Sequence, residues 1–162
     1  MTPSEIRALI EEAWASSEYP GDSKIAYDKA GYNLECKQVA DFFRGKKWNN
    51  VTLSALRAYR GDASACLHFM SATAFRYYLP AYMLIAIDDY SDADVVADSA
   101  VNALAPAAPG PLREFWVERV SGLSPKQSKA IVEFLSFMQA EHAEDYPVHG
   151  PKDALRHWTS AV

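Results

Sequence analysis

The chain has 162 residues, nearly half of them apolar (49%), including 9 tyrosines, 7 phenylalanines and 4 tryptophans. That length and apolar content exclude a disordered tail and predict one domain with an ordinary core. Net charge is −5 with no basic stripe, which argues against a general nucleic-acid binder, since that function draws on clustered Lys and Arg.

Thr2-Pro3-Ser4-Glu5 is a helix start, with Thr2 as cap, Pro3 in the first helical position and Glu5 closing the capping box. Ile6, Leu9, Ile10, Ala13 and Trp14 then recur at helical spacing and predict a helix over 3–16. This N-terminus is acidic and lacks the basic start and apolar run of a signal peptide, so the expected compartment is the cytoplasm. Tyr19-Pro20-Gly21-Asp22 reads as a turn, and 24–32, including Gly31, is weakly patterned.

Asn33 is placed to cap a second helix carrying Val39, Phe42 and Phe43, which Gly45 ends. Arg44, Lys46 and Lys47 form the most basic local run. It reads as a solvated turn with Trp48 packed on the core rather than as an anion site. Thr52 opens a short helix through Tyr59, stopped by Gly61, and Asp62 caps one more turn over 63–69. His68, beside Phe69 and Met70, reads as a hydrogen-bonded core residue.

The most apolar stretch is 71–90. Ser71 can cap it. Phe75, Tyr78, Leu79, Tyr82 and Ala86 share one stripe, while Tyr77, Leu84 and Ile87 fill the other faces. A helix apolar all round is buried in a core or a membrane. A span needs roughly 20 apolar residues, and this run is shorter and bounded by Arg76, Asp88 and Asp89, so the core reading wins and no membrane is expected. Pro80 has no N–H and leaves the Arg76 carbonyl without its helical donor. The expected outcome is a kink or break near Leu79, with Arg76 or a tyrosine hydroxyl serving the carbonyl.

Asp88, Asp89, Asp92, Asp94 and Asp98 crowd the next eleven positions. A calcium loop fails on spacing, because Ala93 and Ser99 stand where its glycine and glutamate belong. Ser91 or Asp92 is placed to cap a helix over 93–104, with Asp94 in its first turn. Asp88 and Asp89 instead face the negative end of the central helix, a local conflict that sometimes marks function, and the acidic corner reads first as solvated charge and second as a partner-binding patch. APAAPGP, 105–111, reads as an internal loop. Leu112, Phe115, Trp116 and Val120 define the next helix, ended by Gly122. Ser124-Pro125-Lys126-Gln127 repeats the start chemistry of the first helix, and Ala130, Ile131, Phe134, Leu135 and Met138 form the cleanest stripe of all. Glu141, Glu144 and Asp145 follow on the wet side. Pro147 and Gly150 break the pattern, and Pro151 opens a last helix that docks Leu155 and Trp158. The prediction is all-α: a single domain over 1–162, of about seven or eight helices around a Pro-kinked central helix.

No GxGxxG, GxxxxGK[ST], HExxH, CxxC or GxSxG occurs. His68, His142, His149 and His157 do not make a metal-binding pair by spacing, and Cys36 and Cys66 read as buried, reduced thiols. No catalytic residue, metal or cofactor is expected.

At YPGDSKIAY, DFFRGKKW, FRYYLPAYM, LSPKQSKAIVEFLSFM and ALRHW the chain resembles a family of small bacterial proteins of unknown function, across almost its whole length. FRYYLPAYM, residues 75–83, is the most specific part. The resemblance supplies no catalytic residue. Small acidic helical proteins of this kind are similar to the immunity proteins that neutralise bacterial toxins. That likeness implies a non-catalytic module that covers a basic toxin domain with an acidic face. The candidate residues are Asp88, Asp89, Asp92 and Asp94, with Glu141, Glu144 and Asp145 second. The alternative is a small enzyme or ligand-binding domain with a polar pocket near Pro80, using His68, Arg76, Tyr77, Tyr78 and Tyr82. The plainest reading is a structural helical domain without a dedicated partner.

Overall fold

The computed structural model describes residues 1–28 and 32–160. Gly31 therefore lies outside the described residues. Ten α-helices occur among them, seven of ten residues or more: α1 (Pro3–Trp14), α2 (Leu34–Phe43), α3 (Leu53–Leu56), α4 (Cys66–Phe69), α5 (Ala72–Asp88), α6 (Tyr90–Ala93), α7 (Val95–Leu104), α8 (Pro111–Val120), α9 (Pro125–His142) and α10 (Pro151–Ser160). The described residues contain no strand, only an isolated antiparallel bridge between Ala26 and Met70.

The cap chemistry read from the sequence sets most of these starts. Thr2 accepts from the Glu5 amide and Glu5 accepts in return, as do Ser124 and Gln127. Asn33, Thr52, Asp62 and Ser71 each accept from an amide two or three residues on. Each such bond contributes about 1 kcal/mol. Two boundaries differ from expectation. The helix opened by Thr52 stops at Leu56 instead of reaching Tyr59. The helix expected over 93–104 starts at Val95, and neither Ser91 nor Asp92 caps it. The chain reverses between α6 and α7 at Asp94, whose φ is +48°.

α5 lies at the centre, with α1, α7 and α8 packed around it and 48–50 against its second half. Twelve of its residues are buried, on all its faces. α9 packs on α1, and α10 closes the far side against α9 and α7. All of this forms one continuous apolar core.

Pro80 does not break α5. The Arg76 carbonyl that it frees accepts from the indole N–H of Trp14 on α1, 2.7 Å away. The donor is thus neither Arg76 nor a tyrosine. The Arg76 side chain instead reaches the C-terminal end of α8 and donates to the Glu118 and Arg119 carbonyls, both at 3.0 Å. The guanidinium lies directly beneath Gly122, where a Cβ would come within 2.6 Å of it. Indoles serve α7 in the same way: Trp116 donates to the Ala103 carbonyl at 3.0 Å and Trp158 to the Leu104 carbonyl at 2.9 Å. Helix ends leave orphan carbonyls, and in this fold large aromatic side chains satisfy them from neighbouring helices.

Candidate functional site

The first candidate surface is built by the α5–α6–α7 corner and the end of α9. Asp89 ends α5, and its carbonyl accepts from the Asp92 and Ala93 amides, winding the single turn of α6. That turn presents Tyr90. Its ring stacks on His142 at 3.5 Å between centroids, and its hydroxyl donates to the Asp145 carboxylate at 3.0 Å. Behind it, burial pushes the Tyr146 phenol well above its ordinary pKa, and the neighbouring Asp98 carboxylate reinforces the shift. Tyr90 and Asp145, 55 residues apart, thereby link two acidic segments, one carrying Asp88, Asp89, Asp92 and Asp94 and the other Glu141, Glu144 and Asp145.

Most of these carboxylates are uncommitted. Asp92, Asp94, Glu141 and Glu144 are exposed and form no ion pair among the described residues. Asp145 accepts from Tyr90 and stands 3.7 Å from His142. Asp88 is different, because it is ion-paired with Arg7 of α1. That pair offsets the unfavourable position of Asp88 at the negative end of α5 and makes it a less available contact. Asp94 carries backbone strain. A non-glycine residue at φ +48°, ψ −129° is sparsely populated and costs on the order of 1–3 kcal/mol.

The residues expected to line a pocket at Pro80 are not gathered into one. Tyr78 and Tyr82 are fully buried. The Tyr78 hydroxyl faces the Lys46 and Phe43 carbonyls at 2.7 and 3.0 Å, and Tyr82 donates to the Ala63 carbonyl at 3.1 Å. Burial raises both phenols far above the ordinary range. Tyr77 is buried with its ring edge-on to Tyr19 and Tyr78. Tyr78 and Tyr82 thus spend their polar tips on main-chain oxygens of neighbouring segments.

The fifth residue, His68, is exposed rather than a core histidine. α4 is only four residues long and turns it outward, into a groove of about 870 Å³. The other walls come from Val95, Asp98, Ser99 and Asn102 of α7, from 105–108, and from Leu112, Arg113, Phe115, Trp116 and Arg119 of α8. Partial burial, then the nearby Arg119 charge, holds the His68 imidazole below its usual pKa.

Arg119 does not stand out in the sequence, where it reads as one more charge on an amphipathic helix. It is only 6% exposed. Its Nη2 donates to the His68 and Met70 carbonyls, the latter at 2.8 Å, and its guanidinium lies 3.8 Å over the Phe115 ring. It has no carboxylate partner among the described residues, and its buried Nε–H has no acceptor there. The one available signal is the i,i+4 spacing of Phe115 and Arg119, which superposes them on one helix face.

A model described as Family of unknown function (DUF6714) matches residues 2–162. The chain belongs to DUF6714. No curated protein and no solved structure matches it. Membership spans practically the whole sequence, so the acidic corner, the groove and the Pro80 scaffold all fall within the DUF6714 region. No described helix is long and apolar enough to cross a membrane.

Proposed function

We propose that the protein is a non-catalytic binding module whose acidic corner covers a basic surface on a protein partner, in the manner of an immunity protein occluding a toxin in the bacterial cytoplasm. The observation that carries this reading is the convergence of 88–94 and 141–145 through the Tyr90–Asp145 bond. Neither segment alone is more than a solvated acidic run. In this reading Asp89, Asp92, Asp94, Glu141 and Glu144 contribute to one acidic face, and none of them is ion-paired among the described residues. Such a face steers a basic partner and raises its association rate. The strained Asp94 backbone supports the same reading, because strain tends to persist where a surface serves binding. The uses already found for Tyr78, Tyr82 and Arg76 leave the Pro80 region as scaffold.

The test is a partner recovered by co-purification from the native host, titrated against the wild-type chain and the triple reversal Asp92→Lys, Glu141→Lys and Glu144→Lys. These exposed sites lie away from the core, so thermal stability stays the same. Affinity falls at least tenfold, mostly through a slower association rate. Unchanged affinity sinks the proposal.

A further inference from the structure

The groove beside α8 holds a charge that the fold does not balance. A buried cation is normally paired, because removing it from water costs several kcal/mol in effective terms. Arg119 donates to two carbonyl oxygens and lies over the face of Phe115, and among the described residues it meets no carboxylate. Its wall-mate Arg113 spends Nε on the Ala107 carbonyl, which holds 105–108 as the rim. Two acids share the groove, but both are engaged elsewhere. Asp153 is 3.2 Å from Arg156 and 3.8 Å from His149, and Asp98 lies beside Tyr146. His68, Ser64, Ser99, Asn102 and His149 add polar groups to the lining, and Leu67, Val95, Ala103, Leu112, Phe115 and Trp116 give it an apolar, partly aromatic side. Val95 and Leu112 are 53% and 63% exposed at its mouth, large apolar side chains with nothing over them.

We propose that this groove is a binding site for a small organic monocarboxylate with a flat apolar body, its acid on the Arg119 guanidinium and its body against Phe115, Trp116 and Leu112. The volume lies within the roughly 300–1,000 Å³ of ordinary ligand sites, where a few polar groups fix the orientation of an apolar body. A carboxylate suits Arg119, a buried guanidinium with no carboxylate partner among the described residues. A phosphate dianion fits less well, because its second charge would meet Asp98 and Asp153 across the groove. Burial brings the Arg119 pKa down to about 10, and nearby Glu118 offsets part of that shift. This site is independent of the acidic corner and of any protein partner.

The test uses 1-naphthaleneacetate and its neutral counterpart 2-(1-naphthyl)ethanol, titrated into the full chain at neutral pH with ligand-observed NMR. The carboxylate binds saturably at one site, at least tenfold tighter than the alcohol. Arg119→Met abolishes that preference. Leu112→Glu, a change at an exposed position that leaves the core alone, weakens the carboxylate at least fivefold and the alcohol less. If Arg119→Met fails to fold by circular dichroism, the wild-type preference and Leu112→Glu decide the matter. Equal binding of the two probes, no saturable binding of the carboxylate, or a Leu112→Glu chain that binds as wild type overturns the proposal.

Discussion

Trp14 of α1 donates its indole N–H to the Arg76 carbonyl of α5, the oxygen that Pro80 leaves without a helical partner. A long-range side chain thus replaces a main-chain bond in the most buried helix of the fold. Trp14→Phe removes the donor and leaves a void, and costs about 2–4 kcal/mol of unfolding free energy. In a Pro80→Ala background the backbone amide restored at that position serves the same carbonyl. The cost of Trp14→Phe is then smaller by about 1 kcal/mol, measured as a double-mutant cycle in denaturant. Equal costs in the two backgrounds would show that the indole bond does not answer Pro80.

Asp94 holds a conformation that glycine adopts freely. Asp94→Gly relieves that strain and stabilises the chain by about 1 kcal/mol in equilibrium unfolding, after the entropy that glycine loses on folding is subtracted. A destabilised variant would mean that the Asp94 side chain contributes more to the α6–α7 corner than its backbone costs.

Much of this architecture is legible in the sequence. The capping residues Thr2, Asn33, Thr52, Asp62, Ser71 and Ser124 all act as read, because a cap is a local interaction with a local signature. The apolar stretch 71–90 is the central helix for an equally local reason, its uniform lack of polar faces. What stays hidden is long-range. Periodicity cannot say that Trp14 reaches Arg76, that α4 is too short to bury His68, or that Asp88 meets Arg7 on another helix. The reversal at Asp94 escapes a sequence reading because an aspartate gives a weaker positive-φ signal than a glycine. Both acidic runs stand out along the chain, but only the fold brings Tyr90 against His142 and Asp145.

Stability falls as pH drops from 7 to 5, in part through two histidines. Partial burial lowers the pKa of His68, with Arg119 adding to it, and burial lowers that of His157, with Arg113 adding to it. Above pH 7 both are neutral in the folded and unfolded chains and contribute nothing. Below the ordinary value of 6.5 the unfolded chain takes up protons first, so its population grows. The double variant His68→Gln, His157→Gln shows a shallower loss of stability over this window in denaturant titrations. An unchanged slope would assign the loss to other groups.

Cys36 and Cys66 are completely buried, and burial pushes the Cys66 thiol up to about 11. Thiolate is the reactive form, so at pH 8 Cys66 in the folded chain reacts with an aromatic disulfide reagent at least about 100-fold more slowly than a free thiol. Both cysteines react at once in denaturant. Fast labelling of the folded chain would show that α4 opens readily.

The acidic corner as a partner-binding face is tested most directly by hydrogen–deuterium exchange on the complex with a co-purified partner. A shared binding face predicts that amides of 88–94 and of 141–146 are protected together on binding, while those of 111–120 exchange as in the free chain. Protection of 111–120 with no change at the two acidic segments would contradict it.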